Sequence, residues 1–172
     1  MAYVIPDKIN AFNVYQDGVK HIGISNEVTL PGITELTSEM SGPGILGTID
    51  SPAHGLFEST EIEIPFRTLY TDIFRMMRAL TSVDVTLRGS IQVQDGMGNL
   101  DFKGMRVVCR GRKKGMEPGK MTQGEGTEAT VTLELSYYLV EIDGVKELEI
   151  DKLNSIYRVG GVDQLALVRA LC

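Results

Sequence analysis

Hydrophobic residues in this chain fall on alternate positions over several separate runs. Val83, Val85, Leu87, Ile91 and Val93 are interleaved with Asp84, Thr86, Arg88, Ser90, Gln92 and Gln94. This two-residue period predicts a strand with one packed and one wet face. Val131, Leu133, Leu135, Tyr137 and Leu139 alternate in the same way with Thr130, Thr132, Glu134 and Ser136. Ile62, Ile64 and Phe66 alternate with Glu61, Glu63 and Pro65, and Leu148 and Ile150 with Glu147, Glu149 and Asp151. Turn signals separate the runs. Asp95-Gly96-Met97-Gly98-Asn99, Asp143-Gly144 and Asp17-Gly18 each predict a hairpin, because Asp, Asn and Gly tolerate the positive φ of tight turns. After the first of these the apolar positions change parity: Leu100 and Phe102 are even, Met105, Val107 and Cys109 odd. A one-residue slip inverts every side chain, so the pattern predicts a bulge at Gly104.

One segment changes period. Leu69, Ile73, Met76, Met77 and Leu80 recur at helical spacing, with Thr68 as the expected N-cap and Arg75 and Arg78 toward the C-terminal end, where the helix dipole favours cations. A second, shorter helix is expected after Gly160-Gly161, starting near Asp163 and carrying Leu165, Val168 and Leu171. Residues 33–54 and 115–126, rich in Gly, read as loops; the first is long for a compact domain and is expected to contact a neighbouring subunit. The predicted architecture is mainly β: packed sheets forming a sandwich or barrel with one flanking helix, in a single domain over residues 1–172.

Composition narrows what such a domain does. A chain of 172 residues is long enough for one real core, and nineteen glycines suit many turns. The net charge of −6 argues against bulk nucleic-acid binding and against an anionic membrane surface, both of which need clustered cations. Met1 to Tyr15 has neither a basic start nor a continuous apolar segment, so no signal peptide is expected. No spacing pattern links Cys109 to Cys172, and both are read as reduced thiols in a protein made in the cytoplasm.

Catalysis needs convergent titratable groups. The two histidines, His21 and His54, are read as surface residues, and Cys109 as core. No CxxC or HExxH spacing is present, and neither Gly42-Pro43-Gly44 with Gly47 nor Gly119-Lys120-Met121-Thr122 completes a phosphate loop. No cofactor, metal or catalytic residue is expected. The basic run Arg110, Arg112, Lys113 and Lys114 has no interleaved aromatics for base stacking. It reads either as a solvated strand end or as an intersubunit contact with the acidic strand of Glu147, Glu149 and Asp151, setting register more than affinity.

The segment Val107-Val108-Cys109-Arg110-Gly111-Arg112-Lys113-Lys114, followed by Gly119-Lys120-Met121-Thr122-Gln123-Gly124-Glu125-Gly126-Thr127-Glu128, resembles the major tail tube proteins of contractile-tailed phages. Leu148-Glu149-Ile150-Asp151-Lys152-Leu153-Asn154-Ser155-Ile156 and Gly161-Val162-Asp163-Gln164-Leu165 look like that family's end, and Asn13-Val14-Tyr15 and Val28-Thr29-Leu30-Pro31 match in kind. The resemblance covers most of the chain and is weakest over residues 33–60. It implies a non-enzymatic structural subunit of the virion tail, assembled in the bacterial cytoplasm. Six copies would form a ring around a continuous inner β-barrel, and rings would stack into a tube. The implied partners are further copies of the chain, the tail sheath protein, the baseplate initiator, the tail terminator, a tape measure protein inside the tube, and DNA that passes without specific binding.

The residues support this reading in their own terms. Closing a sheet across subunits removes exposed strand edges. A lining that is acidic or neutral lets DNA slide, where a basic one grips it. Two polar strand faces are candidates for the lumen: Thr130, Thr132, Glu134 and Ser136, and Thr86, Arg88, Ser90 and Gln92. Candidate intersubunit contacts are Ser41, Gly42, Pro43 and Gly44 in the long loop, with Arg110, Arg112, Lys113, Glu147 and Glu149. The alternatives are the tube of a phage-tail-like bacteriocin or secretion system, a monomeric β-barrel carrier of a small ligand and, more distantly, a hydrolase built around His21 or His54.

Overall fold

The alternating runs form long antiparallel strands. The computed structural model describes residues 4–21, 27–77 and 80–172. Among them the strands are β1 (Ile5–Gln16), β2 (Val19–His21), β3 (Glu35–Met40), β4 (Ile49–Phe57), β5 (Glu61–Phe66), β6 (Val83–Gln94), β7 (Leu100–Glu117), β8 (Ala129–Ile142), β9 (Val145–Asp151), β10 (Ile156–Val159) and β11 (Val162–Asp163). The helices are α1 (Thr71–Met76) and α2 (Ala166–Leu171). Nine strands make one open sheet in the order β11-β10-β9-β8-β7-β6-β1-β2, with β5 also paired to β8; β3 and β4 form a separate ribbon. The three expected hairpins are present. Asp17-Gly18 and Asp143-Gly144 both carry positive φ at each position, the twist-matched geometry for a two-residue turn. Asp95 closes the third, its Oδ1 accepting the Met97 and Asn99 amides.

β8 is where the sheet divides. β7 flanks it along its length, whereas β5 pairs with residues 129–134 and β9 with residues 137–142. One face of this sheet, the core face, packs Ile62, Ile64, Val85, Val107, Val131 and Leu133 against Ile73 and Met76 of α1. All eight are at most 2% exposed, so each apolar side chain contributes on the order of 1.5–3 kcal/mol relative to exposure.

The predicted bulge at Gly104 is not there. β6 and β7 keep unbroken register through Ser90↔Gly104. The parity change has another cause: the β6–β7 hairpin runs on past the core, so Leu100 and Phe102 stay on the opposite face, 55% and 56% exposed. The slips lie further along, between Arg110/Gly111 and between Lys113/Gly115 in the β7–β8 ladder. The first leaves Ser136 as the extra residue on β8. Val131, Leu133 and Leu135 therefore point into the core, as do Tyr138 and Val140 beyond the slip, while Tyr137 and Leu139 cross to the other face, against the single continuous alternation expected for this strand.

Other expectations also need correcting. The loop at 33–54 is largely the β3–β4 ribbon, and β7 extends to Glu117, into the loop expected at 115–126. α1 starts at Thr71, with Tyr70 at the N-cap and no side-chain cap, so Thr68 does not cap it. Its single turn places Ile73 and Met76 on the sheet; Leu80 is 98% exposed, and Arg78 lies outside the described residues. α2 begins three residues after Asp163, whose Oδ1 accepts the Leu165 amide. Leu165 is buried, but Val168 and Leu171 of the expected stripe are exposed.

Candidate functional site

The register of the strands assigns each side chain to a face, because residues directly opposite in an antiparallel pair share one. Opposite the core face, β6 presents Asp84, Thr86, Arg88, Ser90 and Gln92, and β7 presents Arg106, Val108 and Arg110. β8 adds Tyr137, Leu139 and Glu141, and β9 adds Glu149 and Asp151. β1 adds Asn13 and Tyr15. Among the described residues, α1 packs on the core face. Thr130, Thr132 and Glu134 lie on the same side of β8, but at its other end, beside Pro65, Glu63 and Glu61 of β5. Ser136 sits in the bulge, its Oγ donating to the Arg110 carbonyl at 3.3 Å. The two polar sets read from the sequence are thus opposite ends of one face.

Several charges on this face are matched within the chain. Arg110 Nε and one terminal nitrogen lie 3.2 and 3.1 Å from Asp84 Oδ2, and its guanidinium stands 5.3 Å from the Tyr137 ring centroid. Arg106 reaches Glu141 at 2.8 Å. Arg88 lies 5.4 Å from the Tyr15 ring centroid, a cation–π distance. Lys114 bridges Glu61 and Glu134, and Glu134 also accepts from Ser59 and the Thr60 amide.

Glu149 is the most enclosed of these acids, at 6% exposure. It accepts from Lys146 at 2.9 Å, Tyr137 Oη at 3.0 Å and Arg158 at 3.3 Å. The Lys146 hydrogen bond, with help from Tyr137 and Arg158 and against the effect of burial, holds its carboxyl below the ordinary value of 4.5. Burial and the Glu149 contact push the Tyr137 phenol up to about 12, so it remains a donor. A depressed carboxyl stabilises the fold above its unfolded-state value and loses that contribution as pH falls through its folded value. Glu149→Gln is therefore expected to lower stability by about 2 kcal/mol at pH 7, with the gap to wild type closing below pH ~4.5. Urea titrations at pH 7 and pH 3.5 check this.

Of the residues expected in a cross-subunit pairing of the basic run with the acidic strand, Arg110 and Glu149 also have partners in their own chain. Arg112, Lys113 and Glu147 are exposed. Ser41, Gly42, Pro43 and Gly44 are exposed at the tip of the β3–β4 ribbon, about 20 Å from its base at a strand rise of ~3.4 Å per residue. The ribbon forms an arm that carries exposed Leu36, Met40, Leu46 and Ile49. Its base is fastened to the C-terminal segment. His54, which is in β4 and not in a loop, has Nε2 3.1 Å from the Gln164 carbonyl, and Phe57 meets Tyr157 edge-to-face at 4.9 Å.

Convergent chemistry is missing from the described residues. No three His, Cys, Asp or Glu side chains group there in a way that could hold a metal. Burial pushes the Cys109 thiol up to about 12, which makes it a poor nucleophile. No helix among the described residues is long and apolar enough to cross a membrane.

A family model described as phage tail tube protein FII matches residues 6–171. The chain belongs to this family. The tail tube protein of Escherichia phage P2 is 30% identical over 164 residues, covering 94% of both chains. The major tail tube protein of Serratia phage KSP20 is 32% identical over 157 residues, covering 91% of this chain and 90% of its own. A solved structure, the six-fold symmetrised anti-feeding prophage baseplate, aligns at a TM-score of 0.42 and 10% identity over 76% of this chain and 89% of that one. As a tail tube family member the protein is a structural subunit of a phage tail. The sequence showed the turn that ends β1 but not the length of that strand, nor β3, β4, β10 and β11. β1 breaks alternation at two register shifts, Pro6/Lys8 and Ile9/Ala11, so no two-residue period marks it.

Proposed function

We propose that the chain forms hexameric rings that stack into the tube of a contractile phage tail, with the polar sheet face lining the lumen. The observation that carries this reading is the pairing of an uncovered polar face with a sheet left open at its edges. α1 and the core occupy one face; on the other, most side chains reach solvent, while Leu139 and Glu149 are buried. Among the described residues, the part of β1 before Val14 pairs only with β6, and β7 runs past the end of β6 at Gly111. Such edges invite pairing with another chain, and closure around a ring satisfies them. The exposed arm supports a contact with a neighbouring subunit or the next ring through Ser41, Gly42, Pro43 and Gly44, and Arg110, Arg112, Lys113, Glu147 and Glu149 are proposed for a contact between subunits, with Arg112, Lys113 and Glu147 exposed and without side-chain ties to Asp84 or Lys146.

On this reading the sheath surrounds the tube, a baseplate initiator and a terminator set its ends, and a tape measure protein and then DNA occupy its lumen. Assembly takes place in the host cytoplasm, and no catalytic role is assigned. The phage origin of both curated relatives favours a genome conduit over a bacteriocin or secretion tube. A monomeric ligand carrier would need a closed barrel, and this sheet is open.

Electron microscopy over a concentration series tests assembly: rings and tubes are expected, and a monomer at every concentration, even with the initiator supplied, refutes it. The lumen assignment has its own test. In a Cys172→Ser background, Ser90→Cys in assembled tubes is expected to react with a small thiol reagent. A polymer-linked maleimide should be slowed at least about tenfold relative to the free subunit, since only the small reagent diffuses along a narrow bore. Equal labelling by both reagents places this face outside.

A further inference from the structure

We infer that Asp84 and Glu141 act as shields: they hold Arg110 and Arg106 within the sheet so that these arginines do not capture the phosphates of passing DNA. The inference rests on the proposed lumen face and deepens it. Arginine presents a planar fork of donors that fits a phosphate as well as it fits a carboxylate. A tube that exposed such forks would repeat them in every subunit along its length. Each would add a phosphate contact, with the affinity gain and salt sensitivity that counterion release brings.

The structure places an acid beside each of these two guanidinium groups. Asp84 engages two nitrogens of Arg110 through one oxygen, and the Tyr137 ring lies against the same guanidinium. Glu141 stands directly opposite Arg106 in the β7–β8 register and takes its terminal nitrogen at 2.8 Å. Both acids lie one strand away from the arginine they hold, so sheet pairing itself fixes the match. Lys146 and Arg158 follow suit in sharing Glu149, whereas exposed Arg88 lies over the Tyr15 ring with no acid beside it among the described residues. Arg112 is on the same side but past the end of β6, at the rim of this stretch. The face is thus close to neutral through local pairs, without being stripped of cations. Arginines that stiffen the sheet are kept, and their affinity for polyphosphate is masked.

The test uses assembled tubes and a fluorescent single-stranded oligonucleotide, with co-sedimentation across a salt series. Wild-type tubes are expected to retain little. Asp84→Asn with Glu141→Gln frees both forks at nearly constant shape. Bound oligonucleotide is then expected to rise about tenfold at low salt, with a log–log salt slope steeper by about 1 for each freed arginine. Adding Arg106→Gln and Arg110→Gln should return binding to the wild-type level. Glu141→Gln alone should give an intermediate rise, and it serves where the double variant fails to assemble. Glu58→Gln with Glu125→Gln, two exposed acids in connecting segments outside the strands, makes the same change in net charge and is expected to bind no more than wild type. Equal binding by this control, or none by the double variant, overturns the inference. Failure of the lumen assignment shows up separately, as free access of the polymer-linked maleimide to Ser90→Cys.

Discussion

Deletion of residues 41–47 is expected to abolish tubes while leaving the subunit folded. The arm is a two-stranded ribbon, and an isolated hairpin of this kind is marginal in water. Within the chain its base is held by His54 on the Gln164 carbonyl and Phe57 on Tyr157, and Glu35 accepting the Gly55 amide ties its two strands together there. The core cluster contains no arm residue. Removing the tip therefore takes nothing from the core, and surface changes of this sort shift stability by about 0.5 kcal/mol or less. Assembly is another matter. Leu46 is fully exposed, and Met40 and Ile49 are about half exposed. Residues of this kind at the end of a projecting ribbon lose most of the contact area they would bury against another copy. Negative-stain images of the deletion variant should contain no tubes at concentrations where wild type gives long ones, with unchanged circular dichroism and melting. Persistence of long tubes would rule out the arm as an assembly contact.

Gly111→Ala is expected to be the most damaging single-methyl substitution in the sheet. The first β7–β8 bulge brings the β8 backbone over this glycine, and a Cβ built there falls 2.0 Å from the Glu134 carbonyl oxygen and 2.8 Å from its carbon. Both obstacles are backbone atoms in a paired strand, so no rotamer relieves the clash. Two strands that carry Cys109, Leu133 and Leu135 into the core must move apart. The expected cost is about 4 kcal/mol or more, in the range reserved for overpacking at a site that cannot relax. Gly104→Ala is the control. Its Cβ meets nothing within 4 Å, so the change should be neutral or slightly stabilising. Urea unfolding of both variants checks the contrast, and a Gly111→Ala protein as stable as wild type would show that the bulge lies elsewhere.

The sequence by itself determined that the protein is mainly β, because a two-residue period is a local property written in Val83 to Val93 and Val131 to Leu135. It also determined the three hairpins, since Asp-Gly turns depend on the φ of two neighbouring residues. Family membership was legible in the ordered motifs from Val107 to Glu128. Strand pairing and its slips were not, because register is fixed by partners far apart in the chain. Gly104 looked like a bulge from its own strand, yet the slip belongs to Ser136 and appears only when β7 and β8 are laid side by side. The same limit hid the partners of the charges. Only folding set Asp84 beside Arg110 and placed Lys146, Tyr137 and Arg158 around Glu149. Residues 33–54 read as a loop because a ribbon with water on both faces shows no alternation. Tertiary structure turned them into an arm, whose backbone pairs with itself while its side chains stay exposed.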